Sequence, residues 1–181
     1  MKLSLKKVVI FAACVLSYNH ITPFIHPISL DQIPLEQQDC YTHFFNSGNA
    51  SECDLSYLDL RYAIESLRER KGNSFRFSFA YADISRANLS RMNLVRTQFL
   101  RAKAIGAYFA QADLSYASFG EADLSKAVFT SANVSGANFK KANLTGVNFA
   151  YANLSGADLR GAIIKDANFS NADLTGVIGL E

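Results

Sequence analysis

Between Phe79 and Leu174 a large apolar residue returns at every fifth position, twenty times without a change of phase. The series runs Phe79, Ile84, Leu89, Leu94, Phe99, Ala104, Phe109, Leu114, Phe119, Leu124, Phe129, Val134, Phe139, Leu144, Phe149, Leu154, Leu159, Ile164, Phe169 and Leu174, and only Ala104 is small. Ala usually stands two residues earlier, Asn or Asp between, and Ser or Thr just after. A period of five fits neither ordinary element. On an α-helix such a step advances ~500°, so successive large residues drift around the axis. On a β-strand an odd step throws them onto opposite faces. Repetition at a fixed short period is instead the mark of a solenoid. Each unit then reads as a short extended side, with Ala and the large residue pointing inward, followed by a corner at which Ser, Asn, Asp and Gly suit a tight turn.

The order of the large residues selects the number of sides. With four sides and twenty residues per coil, Phe79, Phe99, Phe119 and Phe139 form one column, and Phe109, Phe129, Phe149 and Phe169 the opposite one. A three-sided coil would set Phe above Leu throughout. About five coils at ~4.8 Å spacing give a rod of ~24 Å. Columns of Asn and Asp (Asn93, Asp113, Asn133, Asn153, Asp173) are expected to ladder along the surface. Ala104 is expected to leave a gap unless Ile105 turns inward.

The N-terminal third is different. "MKLSLKKVVIFAACVLS" places Lys2, Lys6 and Lys7 before the apolar run from Val8 to Leu16, the pattern of an export signal. The run is shorter than the ~20 residues of a membrane span, and cleavage is expected before Tyr18. Loss of the three lysines turns the formal charge of +2 into −1. A rival reading has "FAAC" as a lipoprotein box with Cys14 lipidated. In the exported chain Cys40 and Cys53 remain, and an even count points to a disulfide. The alternative is a metal or small-ligand site at Cys40, His43 and Cys53. Residues 30–50, closed by that disulfide, are the candidate cap for the N-terminal end of the array. "CDLSYLDLRY" carries two units centred on Leu55 and Leu60, one residue out of phase with the later array. "ESLRERKGNS" (65–74) therefore reads as an inserted solvated loop or short helix.

The Ala-Asn/Asp-Leu/Phe-Ser/Thr-Gly units resemble the pentapeptide-repeat family over residues 75–176 and 53–62. The resemblance implies a right-handed quadrilateral β-helix, in agreement with the columns. A Cys pair leading into "CDLS" is similar to exported bacterial members, although an insertion spreads the pair here.

Chemistry is sparse in the array. Beyond Cys53 there is neither His nor Cys, so a Ser or carboxylate there lacks the usual catalytic partners. No catalytic, metal or cofactor-binding residue is assigned. Some family members imitate DNA with strongly acidic surfaces, but residues 75–181 hold eleven Lys and Arg against eight Asp and Glu. Two candidate interaction features remain. Arg86, Arg91, Arg96 and Arg101 form a belt, one per face, expected to meet the acidic residues Asp31, Glu36 and Asp39. Tyr108 and Val128 stand where Asn or Asp is usual, twenty apart, with Ala110, Ala150 and Tyr151 on the same face. Near the C-terminus no amphipathic helix follows the last unit, and an apolar end with open strand edges is a liability, so a homodimer through that end is expected.

The reading is an all-β solenoid. It has a signal peptide (1–17), an N-terminal capping segment (18–52), first repeats with an inserted charged loop (53–74) and a β-helix of about five coils (75–181). Its expected role is an exported, non-enzymatic scaffold in a periplasm or thylakoid-lumen-like compartment. It would contact a protein partner, with no nucleic acid, no cofactor, and a membrane only through a lipidated Cys14.

Overall fold

The computed structural model describes residues 30–180. The expected export signal, the Tyr18 cleavage point and Cys14 lie outside the described residues. A 3-10 turn at Leu30–Gln32 leads into helix α1 (Leu35–Ser47), and a second helix, α2 (Arg61–Lys71), interrupts the first coil.

Almost everything else is a ladder of single-residue parallel bridges spaced by twenty. They define four faces: Asp83, Lys103, Asp123, Asn143 and Ile163 on face one; Asn88, Tyr108, Val128, Asn148 and Asn168 on face two; Asn93, Asp113, Asn133, Asn153 and Asp173 on face three; and Ser78, Gln98, Ser118, Asn138, Asp158 and Ile178 on face four. Each bridging residue is the Asn/Asp position, flanked by two inward side chains. The unit at Asp113 shows the pattern. Its N–H donates back to Met92 (2.9 Å), Leu114 N–H donates forward to Asn133 (2.7 Å), and Ala117 N–H closes the corner on the Leu114 carbonyl (2.9 Å). The backbone is thus satisfied between coils, as burial requires. Strands stay short because the chain turns again immediately.

Corners have a fixed conformation. All twenty corner positions from Tyr81 to Gly176 have positive φ, and only six of them are Gly. The preceding residue has negative φ, so each corner is a type II turn. Asn and Asp make this tolerable for other residues. The side chain before the large residue accepts the backbone N–H two positions on, as Asp83 does from Ser85 (2.9 Å) and Asn133 from Ser135 (3.1 Å), an Asx brace on the turn. The Asn/Asp ladder between coils is realised in pairs: Asn133 donates to Asp113 (3.1 Å), Asn143 to Asp123 (3.1 Å) and Asn168 to Asn148 (3.2 Å).

The core follows the columns. Phe79, Phe99, Phe119 and Phe139 stack at 4.5–5.2 Å with rings within 5° of parallel. Phe109, Phe129, Phe149 and Phe169 stack at 4.7–5.5 Å. The two columns meet edge to face, as at Phe119–Phe129 (5.8 Å, 84°), the arrangement aromatic quadrupoles favour. Ala at the second inward position is buried throughout, from Ala82 to Ala157. Ile105 does not replace Ala104. Ala104 keeps the inward place, bonded to Asp123 O (2.7 Å), while Ile105 stays half-buried at the corner.

The N-terminal end is closed by side chains rather than by another coil. In α1, Gln37, Tyr41, Phe44 and Phe45 share one buried face, the spacing of an amphipathic helix. Phe44 lands 4.9 Å from Phe79 and so continues the Phe column. The helix stops at Gly48, whose φ of +74° and N–H bond to Phe44 O (2.7 Å) make a left-handed cap. A Cβ there would also strike the Phe75 ring at 2.3 Å.

The first coil bridges the second at a separation of 29: Asn49 to Ser78, Asp54 to Asp83, Asp59 to Asn88. Nine residues beyond the regular twenty explain the one-residue phase slip of Leu55 and Leu60. The fourth side of that coil is replaced by α2. The inserted short helix of the sequence reading is present and residues 69–74 are exposed, but its first turns are not solvated, because Ser66, Leu67 and Arg68 are buried. They cover a core that the missing side would leave open. Arg68 Nε and Nη2 donate to Asn93 O and Nη1 donates to Asn73 O (2.5 Å). The Asn93 carbonyl would otherwise be an orphan at the start of face three. Burial pushes the guanidinium's pKa down, against the Glu65 and Asp113 carboxylates.

At the other end no described residue covers the last turn. Ile163, Leu174 and Ile178 are exposed, and Phe169 is only half-buried.

Candidate interaction surface

The solenoid converts sequence position into surface address. Bridge residues point out from the faces, and corner residues project from the edges. The four belt arginines sit on corners rather than on faces, which corrects their expected placement. Their partners also differ from expectation. Arg101 pairs with Glu121 (2.8 Å), one coil on, which holds its pKa above the ordinary value. Arg91 donates to Gln111 (2.9 Å). Arg86 and Arg96 lie over the rings of Tyr57 (5.4 Å) and Tyr116 (5.8 Å). They turn to neighbours in their own corner columns rather than to Asp31, Glu36 or Asp39, because a stacked side chain is already ~5 Å away.

The faces differ in character. Face one is charged: Lys103 bridges Asp83 (2.8 Å). Burial raises the Asp83 pKa, but the Lys103 ammonium and the Ser85 N–H outweigh it, and the net direction is down. Face three carries Asp113 and Asp173 among its Asn residues. On face four Asp158, one coil before the terminal Ile178, is held by Arg160 (2.7 Å) and Lys140 (3.1 Å) well below the usual carboxylate range.

Face two is the exception. From Asn88 to Asn148 neither it nor its two flanking corner columns carries a carboxylate. Its centre is Tyr108, 47% exposed, in register with half-buried Val128. Ala110, Thr130 and Ala150 follow at the next position, and Tyr151, 64% exposed, stands on the adjoining corner. The two edges carry Arg86 and Lys126 on one side and Arg91 on the other, and none of the three forms an ion pair among the described residues. The structure therefore brings Tyr108, Val128, Tyr151, Arg86 and Arg91 to one surface and leaves Arg96 and Arg101 on the other two corners.

Lys126 joins this surface, since the spacing of twenty already stacks it in the Arg86 column. Sequence reading missed Tyr57, beneath Arg86, which the 29-residue first coil hides. Cys40 and Cys53 are joined by a disulfide with Cα atoms 5.5 Å apart, which ties α1 to the first coil. The bond consumes two of the three ligands of the alternative metal set with His43. Among the described residues no group of three or more His, Cys, Asp and Glu is placed to hold a metal ion, and no helix is long and apolar enough to cross a membrane.

The model of the pentapeptide repeats matches the chain in eight copies, over residues 82–115, 107–146 and 142–178. No curated protein matches the sequence. Among solved structures, the chain is similar to a pentapeptide repeat protein (Rfr23) of the cyanobacterium Cyanothece 51142, at 20% identity and a TM-score of 0.45, over 78% of this chain and 97% of that one. It is similar to a pentapeptide repeat protein of the Arabidopsis thaliana thylakoid lumen, at 28% identity and a TM-score of 0.35, over 51% and 70%. It is also similar to HetL of the cyanobacterium Nostoc, a pentapeptide repeat protein involved in heterocyst differentiation regulation, at 21% identity and a TM-score of 0.32, over 72% and 84%.

Proposed function

Because the chain belongs to the pentapeptide-repeat family, we propose that it is an exported, non-enzymatic scaffold that works through protein–protein contacts on face two. One observation carries this reading. Face two is the face that, through the middle coils, exposes an aromatic–aliphatic pair, Tyr108 and Val128, with no carboxylate beside it. Interfaces are enriched in Tyr and Arg and depleted in acidic residues at their centre. A rigid ladder of backbone bonds holds such a surface flat without ordering cost on binding. The absence of His and Cys beyond Cys53 supports a contact role over a catalytic one. The disulfide and the charged-then-apolar leader support export to an oxidising compartment such as a periplasm or a thylakoid lumen.

Crosslinked pull-down from the native compartment tests the role. Wild type recovers a partner that Tyr108→Ser loses, and recovery of the same proteins by both variants overturns the reading. Intact mass of the mature protein tests the export part: a chain starting at Tyr18 supports it, and a lipid adduct on Cys14 replaces it with an envelope tether. The same reading places a second copy against the exposed Leu174 and Ile178, and sedimentation showing a monomer at high concentration removes that element.

A further inference from the structure

We infer that the partner segment received by face two is acidic as well as apolar: a peptide stretch whose carboxylates meet Arg86, Arg91 and Lys126 while a bulky apolar side chain covers Tyr108 and Val128. The inference rests on the reading of face two as a contact surface and adds the chemistry of its occupant.

The argument is one of charge left over. Arg101, Lys103, Lys140 and Arg160 are each matched by a carboxylate at 2.7–3.1 Å. The cations along face two are not. Arg86 rests on a neutral ring and Arg91 on a neutral amide. The nearest acidic positions in these columns lie beyond the patch at either end. Asp59 is already engaged by Arg61 (2.6 Å) below, and Asp166 stands on the exposed last coil above. Three cations without a carboxylate partner among the described residues thus flank Tyr108 and Val128. Arg86 and Lys126 are two coils apart, ~10 Å along the axis, with Tyr108 and Val128 beside the gap between them. A partner bringing two separated carboxylates and one apolar anchor is matched in both sign and spacing. Like charge there would be repelled, so the same pattern also selects against basic partners. A nucleic acid fits less well, because only three cations flank the patch and sustained phosphate binding draws on more.

A displayed library of random short peptides, selected on the full disulfide-bonded chain, tests this. Selected peptides are then titrated against wild type, Tyr108→Ser/Val128→Asn, Arg86→Gln/Lys126→Gln and the face-four control Gln98→Ala. Unchanged melting curves show that each variant is folded. The expected result is enrichment of sequences with several Asp or Glu around a Phe, Tyr, Leu or Trp. Their affinity falls roughly tenfold or more in either double variant, is unchanged in the control, and weakens as salt shortens the screening length from ~10 Å to ~3 Å. Neutral or basic binders that are lost in Tyr108→Ser/Val128→Asn would overturn the acidic chemistry while leaving face two as a contact surface. Binders indifferent to both double variants, or no enrichment at all, would overturn the surface itself. A labelled single-stranded oligonucleotide that binds wild type and displaces the selected peptides at lower concentration would overturn the assignment to a protein partner.

Discussion

Replacing Ala104 by leucine should stabilise this protein, and the rings around it say by how much. Ala104 is fully buried in the column of Ile84, Leu124 and Leu144. In its own coil Phe99 and Phe109 meet at 5.7 Å and 85°. Around Leu124 the matching pair, Phe119 and Phe129, is at 5.8 Å and 84°, and around Leu144 Phe139 and Phe149 are at 5.7 Å and 79°. The rings have not closed in on the smaller side chain, so the space a leucine fills two coils away is still open here. Filling it buries roughly three methylene equivalents at ~0.8 kcal/mol each, less ~0.5–1 kcal/mol for fixing the side chain. The net gain is ~1.5–2 kcal/mol, or ~3–8 °C in Tm for a chain of this size. The comparator is Phe129→Ala. Phe129 sits between Phe109 (4.7 Å) and Phe149 (4.9 Å), and its loss should cost ~3–5 kcal/mol. Thermal and chemical denaturation followed by circular dichroism measure both. A loss of ~1–3 kcal/mol for Ala104→Leu is the signature of overpacking and would show that the space is already taken. Equal losses in the two variants would refute the column model altogether.

Substitutions at three other positions test other parts of the fold. Arg68→Ala removes the donors to Asn93 O and Asn73 O at a buried site and should cost ~2–4 kcal/mol in urea unfolding, with Arg68→Lys recovering only part because one ammonium cannot reproduce the fork; a neutral Arg68→Ala would mean that water already serves these carbonyls. Asp158 is held below the ordinary carboxylate value of about 3.9, chiefly by its bond from Arg160, so its stabilising contribution is complete above that value and is lost as pH falls below it; Asp158→Asn should flatten the acid side of the Tm profile, and a profile identical to wild type would count against the pair. At the corner Ser131, with φ of +58°, Ser131→Gly should leave Tm unchanged or raised while Ser131→Val lowers it by ~1–2 kcal/mol equivalent; equal tolerance of both would contradict the corner geometry.

The shaft of the fold was legible because its signal is redundant. Each Phe from Phe79 to Phe169 has another Phe twenty positions away, and a stacked column is the arrangement that buries them all. The corners were legible only as turns. Nothing in "SRANLSRMNLVR" reveals that Arg86, Arg91 and Arg96 occupy the third position of a type II turn, since the residue type there is not the one the conformation prefers. The brace from Asp83, Asn88 and Asn93 supplies what the corner residue lacks, and it shows only in coordinates. In the first coil the insertion was legible from its phase, but the burial of its helix was not. "ESLRERKGNS" has the composition of a solvated segment, yet Arg68 is recruited to a backbone carbonyl that local sequence cannot see. On face two, Tyr108 and Val128 stood out as departures from the Asn/Asp rule, whereas Lys126 needed the twenty-residue period applied to charge.

In most β proteins the strands that bond lie side by side, and tension on the two ends must shear many bonds together. Here the ladder bonds run along the long axis, joining positions twenty apart in the array and twenty-nine apart in the first coil. A pull on the two ends therefore loads them one turn at a time, like a thread drawn from a spool. The α1 staple and the Arg68 clasp fasten the beginning of the spool, so under tension the turns beyond them are expected to yield first.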